Sequence, residues 1–202
     1  MNRFFVILFS LAVFFSSHGA LAATIDFDGM SAGDPVSVIS QVTFSSNTGL
    51  DLMIFTGLPT TSGSNYLGVA DGEDGYFLGS WGDEIYLDFA AGVTSISVSF
   101  IGVPIDEGEE IPEYFIVTAQ GSSSKTTKDD SLTDDDDVFT VFFTSETLFF
   151  SATLTALGDL TAYHIDDIVI SYAPVPLPSS ALFLLLGLIG LSRLGFTGVP
   201  RA

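Results

Sequence analysis

Four aspartates stand in two close pairs toward the ends of the polar part of this sequence, Asp26 and Asp28 in "TIDFDG" and Asp166 and Asp167 in "HIDDI". Asp26 and Asp28 alternate with Ile25 and Phe27, so on a strand both carboxylates leave one face. Asp166 and Asp167 open what reads as the last strand, and pairing of first and last strands would bring all four acids together. Calcium takes about six to eight hard oxygens and tolerates irregular geometry, so converging carboxylates with loop carbonyls suit it. The plainer reading is a set of solvated charges guarding an exposed strand edge.

A second cluster is aromatic. "GYFLGSWGDEIYLDF" (75–89) sets Tyr76, Trp81 and Tyr86 beside glycines, and exposed rings of this kind stack on sugars. Tyr86 alternates away from Ile85 and Leu87 and is the best exposed candidate for carbohydrate binding. The competing reading places these rings in the core.

Residues for catalysis are few. His18 falls in the leader, so His164 is the only histidine of the mature chain, and there is no cysteine. A histidine-rich zinc site and a thiol nucleophile are both excluded. G-x-S-x-G is absent, and "SSSK" (122–125) matches S-x-x-K only in what reads as a polar loop, where that motif needs a helix start. "DDSLTDDDD" (129–137) lacks the glycine of an EF-hand loop and has Thr140 where the closing glutamate belongs, so it reads as a solvated run. The expected protein is not an enzyme. Its alternative is a secreted glycan-active hydrolase using two carboxylates about 5–9 Å apart, but among 25 acids the presence of a pair carries no weight.

All 25 acids lie between Asp26 and Asp167, answered there only by Lys125 and Lys128, a net −23. Nucleic acid is excluded as a partner, because its affinity comes from Lys and Arg releasing counterions. Hydrophobic residues make up 47% and Phe alone numbers 19 in 202 residues, enough to fill a core despite the charge.

The start, "MNRFFVILFSLAVFFSSHGALAA", has Arg3, an apolar run from Phe4 to Phe15 and a small-residue "ALA" exit at 20–22. It reads as a secretory signal peptide over residues 1–23, cut by signal peptidase after Ala22 or Ala23. The end is stiff at "APVPLP" (173–178) and then apolar, with a transmembrane helix expected over about 179–196. Val175, Pro176, Leu177 and Pro178, the "GLIGL" helix and the following Arg193 resemble the PEP-CTERM sorting signal in its VPLP-type variant. That resemblance covers residues 175–194. It implies an exported protein of a polysaccharide-making Gram-negative bacterium, recognised by an exosortase, a membrane protease. The protein would cross the inner membrane, be held briefly by the tail (174–202), and pass to the cell surface or extracellular matrix. Where the family carries an Arg-rich cluster after the helix, this chain has a lone Arg193.

Residues 24–173 must position any site. "TSISVSF" (94–100), "EIYLDF" (84–89) and "TLFFSATLTA" (147–156) alternate with period two, the last placing Leu148, Phe150, Ala152, Leu154 and Ala156 on one side. Seven further segments read as strands: "TIDFD", "PVSVISQVTFSS", "LDLMIFT", "NYLGVA", "EYFIVTAQ", "DVFTVFFT" and "YHIDDIVISY". About ten strands without helical crossovers predict an all-β antiparallel sandwich, jelly-roll-like. Opening on "IDFD" and closing on "IDDIVIS" also resembles sandwich domains found in PEP-CTERM proteins. Together these readings give a structural or adhesive surface protein of a biofilm matrix, binding extracellular polysaccharide and calcium.

Overall fold

The computed structural model describes residues 21–70, 75, 77–78, 82–104, 114–127, 138–157 and 161–174. Tyr76, Trp81, the acidic loops at 105–110 and 128–137, the leader to residue 20 and the sorting segment from Val175 onward, including Arg193, lie outside them. The described residues form antiparallel strands: β1 (Leu21–Ile25), β2 (Pro35–Val36), β3 (Val38–Ile39), β4 (Val42–Ser46), β5 (Leu52–Thr56) and β6 (Asn65–Val69). They continue with β7 (Phe77–Leu78), β8 (Ile85–Pro104), β9 (Tyr114–Ala119), β10 (Ser122–Thr127), β11 (Val138–Leu157) and β12 (Thr161–Tyr172). Among the described residues no helix is long and apolar enough to cross a membrane.

Two strands of 20 residues, β8 and β11, organise the rest because each serves two layers. In one layer, residues 138–144 of β11 pair with 95–101 of β8, whose 93–104 stretch pairs in turn with β12. The far edge of β12 takes β1, β7 and β6, and β6 leads to β5 and β2. In the other layer β4 pairs with residues 85–89 of β8, residues 151–154 of β11 pair with 85–88, and β9 and β10 follow. The bends are fitted to each other: a Cβ at Gly92 in β8 would lie 2.9 Å from Leu148 Cδ1 in β11.

The core is the space between the layers, and phenylalanines fill it. Phe115 of β9 reaches across to Phe100 at 5.2 Å and Phe139 at 4.8 Å. Phe149 meets Phe89 at 5.9 Å and Phe143 at 5.5 Å, both edge to face. Such offset and edge-on pairs add to the burial itself. The sandwich expected from the alternating strands is therefore present, antiparallel throughout.

Four local readings need correction. Leu148 and Phe150 are 44% and 57% exposed, whereas Phe149 is 1% exposed. The register shifts between Phe149, opposite Val93, and Ser151, opposite Asp88, and the alternation breaks there: Phe150 and Ser151 are both exposed before Ala152, Leu154 and Ala156 resume inward. "EIYLDF" and "TSISVSF" belong to one strand, β8, and "DVFTVFFT" and "TLFFSATLTA" to another, β11. "PVSVISQVTFSS" is not one strand but three, turned back at Ser40 and Gln41, whose φ values are 49° and 70°. "SSSK" lies in β10 rather than in a loop.

Candidate functional site

Two places on this frame gather polar side chains. The first is the loop 57–64 and what it grips. Thr61 donates its N–H to Asp166 Oδ2 at 2.5 Å, and Thr61 Oγ1 lies 2.6 Å from Asp166 Oδ2 and 2.7 Å from Asp167 Oδ2. Ser62 Oγ donates to Asp167 Oδ1 at 2.7 Å. Adjacent residues on a regular strand point to opposite faces, but the pairing of β12 with β8 shifts register between Ile165 and Ile168. That irregularity lets Asp166 and Asp167 reach the same threonine. Asp166 is fully buried, and its Oδ1 has no hydrogen-bond partner. Burial pushes its carboxyl above the usual range, opposed by the Thr61 hydroxyl and the Thr61 and Ser62 amides, while the charge of Asp167 adds to the rise.

Asp28 meets the same loop farther along. Its Oδ1 accepts from the amides of Ser64 at 3.0 Å and Asn65 at 3.4 Å, and its carboxylate packs against Gly63, where a Cβ would overlap it. Asn65 returns the contact by donating to the carbonyls of Phe27 at 3.2 Å and Met30 at 2.8 Å. Asp26 is exposed just past β1, whose Ile25 is opposite Ile168. The pairing of first and last strands thus brings Asp28, Asp166 and Asp167 to one loop and leaves Asp26 outside it. Among the described residues no three acidic, histidine or cysteine side chains come close enough to hold a metal by themselves.

Behind this loop sits His164, 1% exposed, its ring 4.6 Å from that of Tyr66 and 6.4 Å from that of Phe55. Burial pulls its pKa down to about 3, against a hydrogen bond with the Gly75 backbone that favours the charged form. It is a neutral, packed imidazole at ordinary pH.

The second place is the outer face of the layer carrying β4, β9 and β10. Strand pairing sets Ser45 opposite Tyr86, Tyr86 opposite Thr153, Thr153 opposite Thr118 and Thr118 opposite Ser123. Their neighbours along each strand, such as Phe44, Leu87, Leu154 and Val117, are buried, so this row faces outward. Five strands at their usual spacing make a row about 19 Å long. Tyr86, half-buried and second in the row, donates its hydroxyl to Glu84 Oε2 at 2.7 Å. That hydrogen bond, with partial burial and the Glu84 charge, raises the phenol above its ordinary pKa. Glu84 is itself fixed, its N–H donating to Asn47 Oδ1 at 2.9 Å.

The row ends at a groove of about 340 Å³ lined by Gln120, Ser123, Ser124, Phe142, Thr144 and Ser145, among others. Its lining residues carry no charge. The β9–β10 turn forms one wall, with Gln120 and Gly121 at φ 52° and 72°. Gln120 donates to the Leu148 carbonyl and accepts from Thr147 Oγ1 at 2.7 Å, while Ser124 Oγ donates to the Phe142 carbonyl at 2.6 Å. Phe142 is 59% exposed. Alternation in the sequence puts Tyr86 on the outer face, where the structure has it, but gives no sign of the hydroxyl row or Phe142, because only strand register brings residues 45, 86, 118, 123 and 153 into line.

No family model and no curated protein matches the chain. Three solved structures are similar to this chain at low identity. The K2 cleaved adhesin domain of Lys-gingipain is 14% identical at a TM-score of 0.45, covering 75% of this chain and 99% of that one. The CBM22-1 xylan-binding domain from Paenibacillus barcinonensis Xyn10C is 10% identical at 0.44, covering 78% and 97%. A family 35 carbohydrate-binding module from Clostridium thermocellum is 11% identical at 0.37, covering 71% and 100%. The function proposed below rests on this chain's own residues.

Proposed function

We propose that this chain is an exported, non-catalytic protein of the cell surface or extracellular matrix, whose sandwich binds neutral polysaccharide. The observation that carries the reading is the outward row from Ser45 through Tyr86, Thr153 and Thr118 to Ser123, continued by the uncharged groove at Gln120 and Phe142. Hydroxyls and an amide exchange hydrogen bonds with sugar hydroxyls, and ring faces at Tyr86 and Phe142 cover the apolar faces of sugar rings. The acidity of the chain favours a neutral over an anionic polymer, since its field repels like charge. The signal-peptide-like start and the Val175–Pro176–Leu177–Pro178 and Arg193 tail support delivery by signal peptidase and an exosortase-like protease.

Binding tests this directly. Mobility of the protein in gels containing neutral polysaccharides is expected to be retarded, and Tyr86→Ala and Phe142→Ala are each expected to weaken binding roughly tenfold. Leu50→Ala, a half-exposed loop residue away from the row, serves as control and leaves binding unchanged. Equal mobility in all gels, or retardation indifferent to both ring substitutions, overturns the reading.

A further inference from the structure

We propose that Asp166, Asp167 and Thr61 form a binding site for calcium, which ties the last strand to the loop 57–64. The argument starts from a count of protons. Thr61 Oγ1 carries one, yet carboxylate oxygens lie on it at 2.6 Å and 2.7 Å. Its hydroxyl donates to one of them, and the other then faces an oxygen lone pair. Three oxygens this close attract a positive charge that the hydroxyl alone does not supply.

An independent observation comes from the other oxygen of Asp166. Oδ1 is enclosed with no hydrogen-bond partner, on a residue that is 0% exposed. A buried carboxylate oxygen without a donor is costly, and such groups are ordinarily paired or bound to a metal. One cation reached by Asp166 Oδ1, an Asp167 oxygen and Thr61 Oγ1 relieves both anomalies.

The chemistry favours calcium among common ions. All donors are hard oxygens, and two carboxylates plus a hydroxyl leave positions for backbone carbonyls and water, an arrangement that calcium's flexible shell accepts. Magnesium requires stricter octahedral geometry, and the chain has no cysteine thiolate for softer metals. Asp28 is held by the Ser64 and Asn65 amides on the other part of the loop. It adds negative field rather than a ligand. The site therefore uses two of the four aspartates singled out in the sequence and recruits a threonine that was not.

Thermal melts of the purified full chain, stripped with chelator and then supplied with calcium chloride, test the proposal. Saturating calcium is expected to raise Tm by roughly 5 °C or more, since an ion bound only by the folded state stabilises it by mass action. Asp166→Asn and Asp167→Asn are each expected to abolish that rise, while Asp51→Asn, an exposed acid elsewhere, retains it. Should Asp166→Asn fail to fold, Asp167→Asn and a calorimetric titration showing one calcium per chain decide the matter. No rise in the unaltered protein overturns the proposal, as does a rise that survives in Asp167→Asn.

Discussion

Replacing Phe149 by alanine is expected to cost about 3–5 kcal/mol of folding stability, while the same change at Phe150 next to it stays within about 0.5 kcal/mol. Phe149 is 1% exposed between Phe89 and Phe143, at the level where the bends of β8 and β11 meet. Its removal leaves a cavity bounded by two other rings and the backbone of both crossing strands, elements that cannot collapse without moving a layer. Phe150 is 57% exposed and gives up little. Urea melts of the two variants measure the difference. Plain alternation through residues 148–156 assigns the two positions the other way round, so the pair of measurements tests the bulge as well as the core.

Acid is expected to destabilise the sandwich through His164. In the unfolded chain this imidazole gains a proton as pH falls through its ordinary value of 6.5, but in the folded chain it stays neutral down to about 3. The unfolded state therefore binds more protons below pH 6.5, and stability falls across the window from 6.5 to 3. The full shift corresponds to a loss of about 5 kcal/mol, a large share of a typical domain's stability. Asp166 acts with the opposite sign, because its carboxyl is raised in the folded state and takes up a proton there first. The informative quantity is therefore the difference between the unaltered protein and His164→Leu. Chemical denaturation at a series of pH values should show the leucine variant losing less stability toward pH 3, by most of that amount. Parallel profiles would mean that His164 is not held neutral.

Much of the fold was legible because several strands keep one face wet, although β6 is buried along its whole length. Ile96, Val98 and Phe100 are all buried and alternate with serines, as their sequence requires of a two-layer sandwich. The crossings were not legible. Nothing in "FAAGVT" says that β8 continues through Gly92 rather than ending, since the bend depends on Leu148, distant in sequence, filling the space beside that glycine. The hairpin at Ser40–Gln41 was hidden for a different reason: its left-handed residues are neither glycine nor asparagine, the usual turn signals. At the sites, Asp166 and Asp167 announced themselves by type and by their place in the last strand. Thr61 did not, because a threonine between turn residues gives no sign of which carboxylates a strand bulge will turn toward it. The hydroxyl row failed in the same way, being a property of register across five strands rather than of any one segment.

Export bears directly on the first strand. The structured β1 begins at Leu21, paired with Tyr172, so cleavage after Ala22 or Ala23 trims it and leaves Thr24 opposite Val169 and Ile25 opposite Ile168. In the function proposed for it, the sandwich works outside the cytoplasm with its leader removed. Fractionation of the producing cells followed by intact-mass measurement of the recovered chain tests that most directly. The expected result is a surface or extracellular species that starts at Ala23 or Thr24. A cytoplasmic species that still carries residues 1–20 contradicts it.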